Sequence, residues 1–296
     1  MSVGVALGRT VGVALAWGAR HPSGLGPAKP SYRVAMVCPM FATDAASLRP
    51  EIAVHTVTDV ADLPAGVSGH PQFRLHRAHA GTAWVGETAT MWFRPSVRPD
   101  DRPRFGALGD GGAALALVTR LAAAGDVPGG TRVELPRMAH EAVTAAFPAA
   151  SAVDWDLRWL TDAPARVAGE ERVVELDEAA HPEIDAVLDD ALPGAHNRPG
   201  SDRIRRWYGI RDGADLVAVA ADSSSSTFGF LNSIAVRSDR HGQGLGSALT
   251  VRIARDLLAD RDTVMLGVWA DNPAASRLYR RLGFTGEALI TAFTLP

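Results

Sequence analysis

The chain has 296 residues, enough for one large domain or two of ordinary size, and its 47% hydrophobic content fits a globular protein with a core. A net charge of −3 gives no electrostatic reason to expect nucleic acid or an anionic membrane as partner. Cys38 is the single cysteine and the nine histidines are scattered, so an internal disulfide is excluded and no metal is expected.

No apolar run approaches the roughly 20 residues needed to span a bilayer. The first residues, MSVGVALGRTVGVALAWGAR, make a poor signal peptide, because the basic region is weak and the apolar stretch short. Residues 1–31 read as a disordered tail, and the cytoplasm is the default compartment. Residues 32–164 read as an N-terminal α/β domain of mixed pattern. Within it, AALALVTRLAAA (113–124) and HEAVTAAF (140–147) are helix candidates, and TRVEL (131–135) and DWDLRWL (154–160) are strands. The polar stretch TDAPARVAGEE (161–171) is the best linker.

From residue 172 the order becomes regular. RVVEL is a strand, and residues 182–192 form a helix with Pro182 in its first turn and Ile184, Val187 and Leu188 on one face. Residues 206–211 and 215–221 are strands around Asp212-Gly213, a hairpin signal. FGFLNSIAV (228–236) is a strand and residues 247–258 a helix buried through Leu249, Ile253, Leu257 and Leu258. Residues 263–269 are a buried strand, residues 272–282 a helix ended by Gly283, and residues 284–295 one or two strands.

The most informative stretch is VRSDRHGQGLG, residues 236–246. A strand there runs through a glycine-rich turn into a helix. Free N–H groups at a helix start carry partial positive charge and suit an anion, and glycine lets the backbone come close to it.

Two motifs together resemble the GCN5-related N-acetyltransferase (GNAT) superfamily. One is the apolar strand leading into His241-Gly242-Gln243-Gly244-Leu245-Gly246; the family pattern is Arg or Gln, two residues, Gly, one residue, then Gly or Ala. The other is NPAASRLYRRLGF, residues 272–284, which matches the family's Asn-x-x-Ala-x-x-Leu-Tyr-x-x-x-Gly-Phe. The likeness covers about residues 172–296. It implies a GNAT-like α+β fold, with a mixed, mostly antiparallel central sheet flanked by helices. It also implies acetyl-CoA, or another acyl-CoA, as cosubstrate, its pyrophosphate on the amides of Gly242 to Ser247. The strand backbone at Ile234, Ala235 and Val236 would pair with the pantetheine arm, and Asn272 would reach that arm or the phosphate, besides capping its own helix. His241 departs from the family pattern, and Arg240 is the alternative cation for a phosphate.

Tyr279 is the candidate proton donor to the departing thiolate; its bland reading is packing beside Leu278 and Leu282. The strand before the loop carries no acid, only Asn232 and Ser233, which puts a direct carboxylate base in doubt. Asp222, Glu287 and His196 are substitutes with no preference among them. Trp155, Trp159, Trp207 and Trp269 line an acceptor pocket or pack the core. Arg203, Arg205 and Arg206 attract an acidic acceptor or form a solvated face. The partner expected is a small-molecule or peptide amine, with oligomeric state open.

The first half, GALGDGGAALALVTRLAAA followed by TRVELP, repeats the rhythm of glycine turn, helix and strand, and reads either as a decayed copy of the second, the slightly favoured reading, or as an unrelated α/β domain that covers the acceptor side. Two rival readings stand beside the transferase. One is a catalytically silent acyl-CoA sensor. The other is a Rossmann-type oxidoreductase, with Asp271 as ribose acid.

Overall fold

The computed structural model describes residues 54–76, 81–96 and 101–296. The tail read at residues 1–31 lies outside them, as does Cys38. The first run of elements is β1 (Val54–Val57), α1 (Ala65–Ser68), α2 (Pro71–Arg74), β2 (Thr82–Gly86), β3 (Ala89–Arg94), β4 (Arg104–Gly109), α3 (Gly111–Ala124), β5 (Arg132–Pro136), α4 (His140–Ala146) and β6 (Val153–Leu160). The second is β7 (Val174–Leu176), α5 (His181–Ala191), β8 (Arg206–Asp212), β9 (Asp215–Asp222), β10 (Gly229–Val236), α6 (Leu245–Leu257), β11 (Val264–Trp269), α7 (Pro273–Arg281) and β12 (Gly286–Thr294). Both runs go strand, helix, three strands, helix, strand, helix, strand, except that the first uses two short helices where the second has one.

All twelve strands join one sheet, in the order β1-β2-β3-β4-β5-β12-β6-β11-β10-β9-β8-β7. Every neighbouring pair is antiparallel except β4 with β5 and β10 with β11. The order is symmetric about the β12–β6 pair, because the last strand of each run lies beside a strand of the other. β6 sits between β12 and β11, and β12 between β5 and β6. Neither run closes its own sheet: without β6, the ladder edge of β11 would lie open.

The parallel pairs share one defect. β4 pairs with β5 only from Arg104–Arg132 to Gly106–Glu134, and β10 with β11 only from Gly229–Val264 to Leu231–Leu266. Beyond those points the strands part, leaving a wedge in each run.

Helices α3, α4, α6 and α7 cover one face, and α1, α2 and α5 the other. On the second face, Trp155, Leu157, Met265, Ile290 and Ala292 form a core that straddles the junction of the runs. The two runs also reach across each other there. Arg74, at the end of α2, donates to the Thr227 carbonyl (2.5 Å) and to Thr263 Oγ1 (3.0 Å). In the other direction, Arg203 lies 4.0 Å from Asp101 in the β3–β4 loop.

The sequence reading holds for most elements. The β8–β9 hairpin turns at Asp212 and Asp215 as its Asp-Gly pair predicts. Residues 284–295 give one strand, not two, and α6 begins at Leu245, two residues before the periodicity does. Among the described residues, no helix is long and apolar enough to cross a membrane.

Candidate functional site

The wedge between β10 and β11 has a local cause. Ser233 adopts φ +47°, and the register of β10 on β9 jumps between Asn232 and Ala235. Such a bulge re-aims the strand and ends pairing on one side. The bulge is held on both sides of Ser233. Asn232 Oδ1 accepts from the Ser233 N–H (2.7 Å), and the Ser233 hydroxyl donates to the Asn197 carbonyl (3.2 Å). Ala235 and Val236 remain paired with β9, while toward β11 the stretch from Ser233 to Val236 has no ladder partner.

At the open end of this wedge the chain turns through Ser238–Arg240 into the glycine loop. Gly242 and Gly244 both have φ +78°, where an L side chain is strained even though a Cβ would meet nothing within 4 Å. Gly244 is the N-cap of α6 and offers no side chain to it. No acceptor among the described residues takes the N–H groups of residues 242–247, and residues 242–244 are exposed. The result is a row of free donors at the positive end of a 13-residue helix.

Neighbours fix this loop. The Ser238 N–H and hydroxyl both bond the Asp190 carboxylate, at 2.7 and 3.1 Å. His241 turns its Nε2 back to the Val236 carbonyl (3.0 Å), so it braces the turn instead of pointing at a ligand. Arg240 faces Asp212 (3.3 Å) and Asp239 (3.8 Å). Leu245 is buried in the core beneath the loop, while Gln243 and Ser247 are not buried.

Because β10 and β11 are parallel, the turn after β11 lies at the same end of the sheet. Asn272 caps α7 there, its Oδ1 accepting from the Ala275 N–H (3.0 Å). Two turns on, Tyr279 is fully buried against Phe284, and its hydroxyl has no hydrogen-bond partner among the described residues. Burial pushes the phenol far above its ordinary range, so it stays protonated. A buried hydroxyl without a partner is uncommon and calls for an explanation. A ligand atom in the wedge is the simplest one. The free amides, the unpaired strand edge and this orphaned phenol all fit an extended thioester carrying a diphosphate.

The corresponding positions of the first run do not. Asp110 caps α3 and its Oδ1 accepts from the Ala113 N–H (2.7 Å), while its own N–H goes to the Thr88 carbonyl (2.9 Å). A carboxylate thus occupies the place an anion would take. The cap of α4 is Ala139, where α7 has Asn272, and seven residues later stands Ala146, where α7 has Tyr279.

The possible bases separate in space. Asp222 pairs across from Leu231, at the closed end of the wedge, and accepts from the Ser224 N–H (2.8 Å). Glu287 is paired with Arg158 (3.1 Å). Only His196 adjoins the bulge, through its neighbour Asn197. Burial lowers its pKa, and Arg102 and Arg203 push it the same way. Trp155 and Trp207 belong to the core, whereas Trp159 and Trp269 are half-buried, Trp269 at the end of β11 opposite Trp155. The arginine run divides: Arg206 turns to Glu175 (3.8 Å) and Arg203 to Asp101. The mostly antiparallel sheet also removes the Rossmann reading, which needs a parallel one.

The family profile described as FR47-like protein matches residues 207–290, from β8 into β12. Residues 207–290 thus carry an FR47-like domain of the GCN5-related N-acetyltransferase (GNAT) superfamily. The chain is similar to mycothiol acetyltransferases of Mycobacterium avium (strain 104) and Mycolicibacterium paratuberculosis (strain ATCC BAA-968 / K-10), each 46% identical over 63 residues, 19% of this chain and 20% of the relative. The match therefore spans about a fifth of those relatives' length. In fold, the chain resembles the GCN5-related N-acetyltransferase of Sphaerobacter thermophilus, with a TM-score of 0.50 at 14% identity, over 83% of this chain and 96% of that one. That likeness takes in both runs, so the GNAT-like fold extends beyond the FR47-like match.

Sequence reasoning missed one group of residues. Glu134 on β5 is fully buried, with Arg104 at 3.0 Å and His76 at 3.6 Å. TRVEL reads only as a strand, and nothing local says that the side of it bearing Glu134 is covered.

Proposed function

We propose that the GNAT half transfers an acetyl group from acetyl-CoA to a primary amine, with both substrates bound together. The free N–H row of residues 242–247 carries this reading, because it matches a diphosphate and no group among the described residues competes for it. The unpaired edge at Ile234, Ala235 and Val236 accepts the pantetheine amide as an added strand would. Acetyl-CoA supplies the activated thioester. Tyr279 holds a proton on its phenolic oxygen inside the wedge and gives it to the departing sulfur. Asn272 keeps the start of α7, and hence Tyr279, in place.

The amine needs a proton acceptor, and no carboxylate lies on β10. His196, held neutral beside the bulge, is the base this geometry favours, acting directly or through water. The acceptor is a small molecule or a peptide.

Calorimetric titration with CoA, together with thiol release from acetyl-CoA over a panel of amines, tests the proposal. Wild type is expected to bind CoA and release thiol with at least one amine. No binding of CoA overturns the proposal; binding without release for any amine leaves an acyl-CoA sensor instead.

A further inference from the structure

The N-terminal run lacks an open cradle among its described residues, yet it carries charged side chains on the sheet face where the wedge between β10 and β11 opens. Along the register, Trp269 lies across from Trp155, Trp155 from Ile290, and Ala292 from Glu134. These residues share one face of the sheet, so Glu134 lies on the face, and within two residues of the level, where β10 and β11 open. Arg132 and Arg104 lie just beyond it on β5 and β4.

This charge group is unbalanced. Glu134 takes Arg104 at 3.0 Å and Arg132 at 4.0 Å; Asp101 takes Arg94 at 2.6 Å and Arg203 at 4.0 Å. Arg102 is exposed beside them. Burial, then the guanidiniums of Arg104 and Arg102, lower the pKa of Arg132, with Glu134 opposing. His76 adds no charge: it accepts from Trp92 Nε1 (3.0 Å), and burial together with Arg104 and Arg94 keeps it neutral. Among the described residues of this group, positive side chains thus outnumber negative ones on a partly buried surface. The segment carrying His196 and Arg203 links it to the wedge, from Asn197 on Ser233 at one end to Arg203 on Asp101 at the other.

Resting on the transferase reading above, we infer that the N-terminal run supplies the far wall of the acceptor site, where Arg102, Arg132 and Arg203 bind an anionic group of the amine substrate. Three strand spacings separate β11 from β5, so the amine and the anion stand roughly 10–15 Å apart. That separation excludes a free α-amino acid, whose amine and carboxylate are adjacent, and fits a short peptide with a free C-terminus or an amine carrying a distant phosphate or carboxylate.

Glycine peptides of one to five residues, each as free acid and as C-terminal amide, separate these cases. Binding to the CoA-loaded protein is read by calorimetry, and CoA affinity is read by itself. An extended chain gains at most about 3.3–3.6 Å per residue, so the acid is expected to outbind the amide at three to four residues and not at one. The expected preference is about tenfold, the worth of one charge-assisted contact. Arg102→Gln, at an exposed site, should abolish that preference and leave amide binding and CoA affinity unchanged. Equal binding of acid and amide at every length overturns the inference, as does a preference that survives in both Arg102→Gln and Arg132→Gln. Loss of CoA binding in wild type bears on the transferase reading instead.

Discussion

Tyr279 and His76 are both fully buried ionisable side chains, and burial acts on each in the direction that keeps it neutral. The Tyr279 hydroxyl has no partner among the described residues, so removing it takes no hydrogen bond seen there from the fold. Tyr279→Phe is expected to leave stability within about 1 kcal/mol of wild type, or to raise it, since a buried unsatisfied group is lost. The same change should lower thiol release by about 100- to 10,000-fold, the range for general acid catalysis. Thermal melts beside a thiol assay check both halves; a variant that loses stability and activity together returns Tyr279 to a packing role. His76 makes a second case. Its folded pKa lies well below the ordinary imidazole value of 6.5, so below that value the unfolded chain binds a proton that the native state refuses. Its contribution to stability is complete above pH 6.5 and is lost as pH falls, with a slope of up to about 1.4 kcal/mol per pH unit. Urea unfolding between pH 5 and 7 should show that slope in wild type and a shallower one in His76→Gln, whose side-chain oxygen keeps the bond from Trp92.

At the scale of elements, the two runs differ at corresponding helix starts. α6 starts with a glycine and free amides, α3 with Asp110 folded over its own. Gly244→Asp, which puts an L side chain at φ +78°, is expected to reduce CoA affinity by about a hundredfold, through lost charge-assisted contacts and like-charge repulsion. Calorimetry with CoA reads this, and circular dichroism should show α6 retained. The elements of the second run were legible because each has its local signature. These are the Asp-Gly hairpin, the apolar stripe of α6 and the Asn-Pro start of α7. The first strands were not. β1 to β4 are at most six residues long, and β3 is nearly all buried, so neither length nor alternation betrays it. The bulge at Ser233 was equally silent, since a positive φ at serine comes from its partners Asn232 and Asn197 and not from serine itself.

For the whole molecule, the exchange of β6 and β12 makes the runs interdependent. A chain of residues 166–296 alone would leave β11 without β6 and β12 without both its neighbours. It is expected to be insoluble when expressed by itself and to be rescued by co-expression of residues 1–165. The intact protein should unfold in one transition that coincides by tryptophan fluorescence and circular dichroism. With the N-terminal cradle closed by Asp110, CoA should bind with a stoichiometry of one per chain; a calorimetric value near two would show that the first run still holds the cosubstrate.

Sequence alone determined the glycine loop and the start of α6, on which the proposed donor side rests, because both act through their own main chain. It also determined the rhythm of two similar runs, since hydrophobic period and turn residues are local. Only the tertiary structure brought together the residues of the proposed acceptor side. Glu134, Arg132, Arg102 and His196 come from segments far apart in the chain, and charge acquires its effect from burial and proximity, which the exchanged strands alone create.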